Sequence, residues 1–360
     1  MKRQGNQYKL CLPKKIPYII AMKEIQKYEI DVLDVGAADA ILIHIYADYE
    51  YVVLVDAGNE GDGEKILSHI RKYYNQQYID LAICTHCDAD HYGGFKRLIE
   101  EHCKTRNSFS IKNFWVHDPF EHVDVDDVKY IRKNETLRKR LNDAYSFTDG
   151  SNLLDLIDEA NIAREEPFTG KTYSAINLTV LGPSKDYYKS LIPDFRVDLD
   201  FKEEQQDDDV VSIDRLFSTD DQFYSKTLEE ANDDPSKVNQ SSVIFQIETN
   251  DGILLFTGDA GKEALHKVID RDNSKNLSRV RFFKVPHHGS KHNLDNTIIS
   301  YLKPKISYIS TEKIGKFANK CTIHALKKVG FVYSTHKSSS LWHRSTDMGK
   351  REWYTEAEPL

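Results

Sequence analysis

The feature that most constrains this chain is a run of polar residues placed directly after an apolar strand signal. Tyr78–Cys84 (YIDLAIC) reads as a buried strand that stops at Thr85, and His86, Asp88, Asp90 and His91 follow before Gly93-Gly94. Two imidazoles and two carboxylates at that spacing let one loop curl around one or two divalent ions, because imidazole nitrogen and carboxylate oxygen both suit zinc, manganese or iron. Three further runs end in the same way. Asp56 closes Tyr51–Val55 in LVDAG, Asp259 follows the run in LLFTGD, and His287-His288 follow Arg281–Val285 in KVPHHGS. Layered α/β proteins build their sites at the carboxyl ends of strands. Two ions about 3.5–4 Å apart need a bridging carboxylate and a further histidine, and Asp259 and the His287/His288 pair supply those types.

The rest of the pattern fits such layers. Tyr28–Val35, Ala40–Tyr46 and Ile111–Val116 read as strands, while Glu64–Tyr74 and Phe95–Cys103 have helical spacing. Strand and helix signals alternate, which predicts an α/β fold. Leu178–Leu181, Ile306–Ser310 and Val332–Thr335 read as further strands and Lys262–Asp270 as a helix. Asn250-Asp251-Gly252 has the turn chemistry to join Ser242–Glu248 and Gly252–Thr257 in a hairpin. Residues 119–166 read as helical and polar, and residues 194–235, rich in acidic runs, as a mobile insertion. The expected organisation is an N-terminal extension over 1–27 and one domain over 28–355.

Composition sets the outer bounds. At 360 residues, 40% hydrophobic and 29% charged, the chain is globular. No apolar run approaches the ~18–20 residues of a membrane span. The short stretch Ile16–Met22 contains Pro17 and meets Lys23, so no signal peptide is expected. Five cysteines without a secretion signal predict a reducing cytoplasm. Of the Cys84–Cys87 pair, Cys84 reads as core and Cys87 as filler between ligands. The formal net charge of −8 argues against nucleic acid as a partner until its distribution is read. Asp194–Asp234 carries a net −11 and Arg281–Lys350 a net +10. The basic quarter suits phosphates, and the acidic segment reads as a separate element through which a protein partner could dock. Tyr301, Tyr308, Phe317, Phe331, Tyr333 and Trp342 interleave with its lysines and arginines, either as a base-stacking surface or, for most of them, as core. No phosphate-cradling glycine loop and no serine nucleophile elbow is present.

The strings DVGAADAILI, LVDAGN, THCDADHYGG, LLFTGDA and KVPHHGS span Asp34–Ser290, with STHKSSSLWHRS near the end. Together they resemble the metallo-β-lactamase superfamily, and within it the hydrolase domain of the ComEC DNA-uptake proteins. The resemblance implies a four-layer αββα sandwich with metal at one edge between two sheets. It implies that His86 and Asp88 help hold one metal, that Asp90 and His91 hold another, that Asp259 bridges, and that His288 closes the second site, with His287 still open for that place. Asp56 would brace the metal loop by hydrogen bonds. The chain departs from the superfamily pattern twice: Asp88 stands for the second histidine of HxHxDH, and Asn239 stands where a separate histidine is usual. The first site is therefore oxygen-rich, and one or two ions of zinc or manganese are expected. His117, after IKNFWV, is either a compensating ligand or structural. Asp90 and Asp259 would orient the attacking water, and His287 would serve the leaving group, with Ser290, Lys291 and His292 around it. The implied function is a metal-dependent nuclease or phosphodiesterase acting on nucleic acid. The alternatives are a small-molecule metallo-hydrolase (cyclic nucleotide, lactone or thioester) and a regulatory component of a larger assembly.

Overall fold

The computed structural model describes residues 24–360 apart from 26, 75, 105–108, 124–134, 197–218, 316–317, 338–339 and 352–353. Strands in the first half are β1 (Lys27–Val32), β2 (Ala40–Tyr46), β3 (Glu50–Ala57), β4 (Tyr78–Ile79), β5 (Leu81–Ile83), β6 (Ser110–Ile111), β7 (Asn113–Trp115) and β8 (Ala163–Glu165). Those in the second half are β9 (Thr172–Tyr173), β10 (Leu178–Gly182), β11 (Ile244–Thr249), β12 (Gly252–Phe256), β13 (Val280–Lys284), β14 (Ile306–Ile309), β15 (Phe331–Ser334) and β16 (Leu341–Arg344). They form two seven-stranded sheets, ordered β16-β1-β2-β3-β5-β7-β8 and β15-β14-β13-β12-β11-β10-β9, with β4 and β6 paired separately.

Period-two alternation with apolar residues on both faces builds the layers. In β2, Ile41, Ile43 and Ile45 face the second sheet, where they join Phe245, Leu254, Phe256 and Phe282 in one core. Leu42 between them, with Leu54 of β3, faces outward and packs with Ile66, Ile70, Phe95 and Leu98 of the helices Gly63–Tyr73 and Phe95–Lys104. On the far side, Leu255, Phe283 and Ile309 pack with Leu265, Ile299 and Leu326 of the helices Lys262–Ile269, Asn296–Leu302 and Lys320–Lys327. The result is helix, sheet, sheet, helix: a mixed α/β protein consistent with a metallo-β-lactamase fold.

Several local expectations change. The expected single strand Tyr78–Cys84 is broken at Asp80, which is buried; its Oδ2 accepts from Val52 N at 2.8 Å and its Oδ1 from Lys112 Nζ at 2.7 Å. Residues 119–166 are not uniformly helical: the helices Glu135–Asn142 and Leu153–Glu159 are followed by strand β8. Part of the expected mobile insertion is a regular element. Asp220–Glu230 is a helix opened by a capping box in which Thr219 accepts from Gln222 N and Gln222 accepts from Thr219 N. It packs on Lys320–Lys327, where Asp221 pairs with His324 and Lys328. So the acidic segment and the basic quarter touch rather than stand apart. Residues 197–218, like residues 1–23 of the expected N-terminal extension, lie outside the described residues.

The C-terminal region locks the first sheet. β16 pairs with β1, and Arg351 donates to Asp31 Oδ1 at 2.7 Å and Oδ2 at 2.9 Å. Asp31 is 2% exposed and also accepts from Tyr74 Oη at 2.7 Å. Burial works against its charge, but His69 and Arg351 outweigh that and hold its carboxyl below the usual range. This contribution to stability is therefore present above the unfolded pKa of ~3.9 and is lost as pH falls through the depressed folded value. Arg351→Met should cost about 3 kcal/mol, since it strips one partner from a buried pair while Tyr74 and His69 remain. The check is urea unfolding at pH 7, with a lower midpoint and an unchanged slope expected.

Candidate metal centre

Four loops deliver the site, each from a strand end. β3 ends in Asp56-Ala57, β5 runs into residues 84–91, β12 into Asp259 and β13 into His287-His288. Two glycine steps let these loops close. A Cβ at Gly94 would lie 2.1 Å from Ala57 O, and one at Gly258 would lie 2.9 Å from Thr85 Oγ1. Gly258 also has φ +49°, which favours glycine.

Asp56 ties the loops together. Its Oδ1 accepts from Thr85 N at 2.7 Å, and its Oδ2 accepts from Thr85 Oγ1 at 2.8 Å and from His91 Nδ1 at 2.7 Å. Because the Thr85 hydroxyl gives its proton to Asp56, its lone pair receives His86 Nδ1–H at 3.0 Å. His288 Nδ1 donates to Ser310 O at 3.0 Å. Each of these rings therefore spends Nδ1 on an oxygen and turns Nε2 inward. The Nε2 atoms of His86, His91 and His288 are all buried without a hydrogen-bond partner.

These orphaned nitrogens converge with carboxylates. His86, His91 and Asp259 form one group, and Asp90, His91 and His288 another, with ligand atoms within 4.8 Å of one another in each. His91 Nε2 lies 3.4 Å from Asp259 Oδ2 and 3.8 Å from Asp90 Oδ2, and His288 Nε2 lies 3.5 Å from Asp90 Oδ2. Imidazole nitrogens facing carboxylates at these spacings suit a divalent ion with ligands at ~2.0–2.2 Å. A third group, Asp39, Asp56 and His91, is already neutralised: His91 gives its Nδ1–H to Asp56, and buried Lys284 Nζ lies 2.8 Å from Asp39 Oδ2. Burial pushes His86 down to about 4, which keeps it neutral for ligation. Burial opposes charge on His91, but Asp259, Asp56 and Asp90 outweigh it and raise that group well above the histidine range. That proton is what a metal ion would displace.

The remaining predicted residues fall as follows. Asp88 joins neither group; its Oδ2 is 3.7 Å from His86 Nε2 while its Oδ1 faces Arg196 Nη2 at 3.3 Å. His288 rather than His287 enters a ligand group, while His287 points Nε2 toward Asp259 Oδ2 at 3.9 Å. Asn239 Nδ2 donates to Asp234 Oδ2 at 2.9 Å. Ser290 Oγ accepts from His292 N, and His292 Nδ1 donates to Asn232 O at 2.9 Å, so both brace the loop after the histidines. Lys291 is half-buried beside them. His117 belongs to the core, packed between Phe168 and Tyr188, and burial pushes it down to about 3. Cys84 and Cys87 are buried and free, with both thiols pushed up by burial. Among the described aromatic residues of the basic quarter, Phe331 is exposed, at 62%, and the others are buried or half-buried. Tyr308 and Trp342 are buried, and with Tyr333 they line a cavity of about 330 Å³ at the Arg281 end of β13, away from His287. Phe317 lies outside the described residues.

Asp39, Lys284, Asp234 and Arg196 are site residues that the sequence reading missed. The available signal was charge out of place: a lysine inside the apolar run RFFKV, and an aspartate among small residues in GAADA.

The Metallo-beta-lactamase superfamily model matches residues 33–104, which contain β2, β3, Asp56 and the histidine-aspartate loop. That match supports placement in the superfamily. A search of curated proteins finds no match. Among solved structures, similarity is found to the metallo-beta-lactamase fold protein YhfI from Bacillus subtilis, with 10% identity, 88% of this chain and 99% of that chain covered and a TM-score of 0.42. A diphosphatase from the PhnP family shows 10% identity, coverage of 89% and 99%, and a TM-score of 0.39. A long form RNase Z from yeast shows 11% identity, coverage of 79% and 37%, and a TM-score of 0.33. Among the described residues no helix is long and apolar enough to cross a membrane.

Mn²⁺ or Zn²⁺ at about 100 times its Kd should stabilise the protein by about 2.7 kcal/mol, read as a rise in Tm that EDTA reverses. Asp56→Asn should weaken binding ~10–100-fold by loosening the His91 and Thr85 hydrogen bonds. An unchanged affinity in calorimetric titration would contradict the bracing role.

Proposed function

We propose that this chain is a metal-dependent hydrolase of phosphodiesters, of the ComEC-like kind, with nucleic acid as its substrate. The observation that carries the reading is the convergence of three buried, unpartnered imidazole nitrogens with Asp90 and Asp259 at one sheet edge. A divalent ion held by those groups would supply a water acidified toward pKa ~7 and charge to offset the phosphoryl oxygens. Members of the superfamily are hydrolases that typically bind divalent metals.

The chain's own residues do the positioning. Asp259 is 3% exposed, with its backbone N held by Ser242 Oγ at 3.1 Å and its Oδ1 by His287 N at 3.2 Å, so its free Oδ2 faces the ligand nitrogens. The Asp90 side chain is one-third exposed and can meet both an ion and solvent water. The rim offers a cation suited to a polyanion in Lys291 after the histidines, while Arg196 is mostly buried and spent on Cys87 O and Asp88. The basic quarter supports the same reading, with exposed Lys303, Lys305, Lys313 and Lys327 on its surface.

The test is cleavage of labelled single- and double-stranded DNA and RNA with Mn²⁺, Zn²⁺ or Mg²⁺. Wild type is run beside an Asp90→Ala, Asp259→Ala double variant. Cleavage by wild type alone, with the double variant reduced by at least ~10³-fold, is expected. Metal binding without cleavage of any nucleic acid would overturn the substrate and favour a small-molecule hydrolase.

A further inference from the structure

At the end of β13 far from the metal loops, the two sheets part around a second cavity. Its volume is about 330 Å³, which is in the range of small-molecule sites and far above the roughly 10–15 Å³ that one water needs. Arg281 and Ile306 line it from the amino ends of β13 and β14, whereas the metal loops leave the carboxyl ends of β12 and β13. β15 and β16, the terminal strands of their sheets, contribute Tyr333, Trp342 and Arg344. The walls are fixed by hydrogen bonds between elements. Tyr308 Oη donates to Trp342 O at 3.1 Å, and Tyr354 Oη accepts from Trp342 N at 3.0 Å. Tyr333 lies 5.4 Å from Tyr308, centroid to centroid, and is only half-buried, so ring surface remains for a planar guest.

Charged groups surround these rings. The guanidinium carbon of Arg344 lies 5.3 Å from the Trp342 ring centroid. Arg281 stands beside the Tyr28 hydroxyl and Asp251, yet its Nε is buried with no hydrogen-bond partner. An unmet guanidinium N–H beside a cavity marks a place for an acceptor. Glu356 is the carboxylate of the lining, and its Oε1 has Lys350 Nζ at 3.0 Å and Arg344 Nη2 at 3.8 Å. Asp251 is held by Thr346, through N at 3.1 Å and Oγ1 at 3.0 Å. Arg281, Arg344 and Lys350 set against Asp251 and Glu356 leave one positive charge in excess.

We propose that this cavity binds a free nucleoside monophosphate, with the base against Tyr333 and Trp342, the sugar hydroxyls on Glu356, and the phosphate on Arg281 and Arg344. Each part of that ligand meets the chemistry that suits it. Bases stack on aromatic faces whatever their hydrogen-bonding edges. Carboxylates accept from ribose hydroxyls. Guanidinium forks match phosphate oxygens. The site uses none of the residues of the metal loops, so its occupancy needs no metal ion and is independent of the hydrolytic reading.

The experiment is calorimetric titration of the EDTA-treated full chain with AMP, GMP, CMP and UMP, with inorganic phosphate and adenosine as partial ligands. At least one monophosphate should bind, and phosphate and adenosine should each bind at least ~10-fold more weakly. Arg281→Met should weaken binding ~10-fold or more, and Tyr333→Ala ~5-fold or more. Arg344→Gln, a change at a half-buried strand end, serves as the second cation variant should Arg281→Met fail to fold, with the same loss expected. Absence of binding at millimolar concentration would overturn the proposal. So would phosphate that binds as tightly as every monophosphate, or an affinity that these variants leave unchanged. A 5′-phosphorylated single-stranded oligonucleotide that binds more tightly than every monophosphate, and is weakened by the same variants, would overturn the free nucleotide in favour of a strand end.

Discussion

Buried donors must find acceptors, and at this sheet edge that requirement organises everything else. The Nδ1 atoms of His86, His91, His287 and His288 each meet an oxygen, from Thr85, Asp56, Asp234 and Ser310 respectively. Three of those acceptors lie 22 to 53 residues from the ring they hold, so the tertiary fold aims His91, His287 and His288, while Thr85 aims His86 from the next position. With Nδ1 committed, Nε2 of His86, His91 and His288 is the atom left for chemistry, and these three point inward. The site is the consequence of where the second atom of each ring is spent.

Holding that arrangement costs the protein in charge and in backbone conformation. Asp39, Asp56 and Asp259 are each less than 4% exposed and close to one another. Buried like charges are costly unless paired. Lys284 neutralises Asp39 with neither side chain meaningfully exposed, and His91 serves Asp56 and Asp259. The backbone cost falls at the same places: Asp56 has φ 55°, His287 43° and His288 52°. Each left-handed residue with a Cβ costs roughly 1–2 kcal/mol. The surrounding hydrogen bonds to Thr85, Asp259, Asp234 and Ser310 sustain it. The strain gathers at one candidate ligand, His288, and at the residues that neighbour or brace the ligands.

The layers were legible because alternation and run length are local properties. β2 shows it plainly: AILIHIY places isoleucines on one face by periodicity alone. The metal loop was legible for a similar reason, since His86 to His91 lie in one stretch at the end of an apolar run. What escaped was set by partners far along the chain. The acceptor for Lys284 lies 245 residues away at Asp39. Asp234 sits among many acidic residues of a segment read as mobile, and its buried contacts with Asn239, His287 and Asn293, the last two 53 and 59 residues on, distinguish it. Asp80 interrupts a strand-like run because its carboxylate bonds Val52 N, a tertiary choice that local propensity does not contain. Asp88, read as a ligand by its place in the motif, turns Oδ2 to His86 Nε2 at 3.7 Å and Oδ1 to Arg196, 108 residues later, a pairing the motif does not contain.

The central claim is that these converging nitrogens and carboxylates hold a divalent ion. Anomalous X-ray diffraction from crystals grown with Mn²⁺, collected on both sides of the manganese edge, tests it directly. The account predicts at least one anomalous peak within about 2.0–2.3 Å of Nε2 of His86 or His91 and of the Asp259 carboxylate. An ordered site with the same hydrogen bonds and no peak at saturating Mn²⁺ or Zn²⁺ would contradict it.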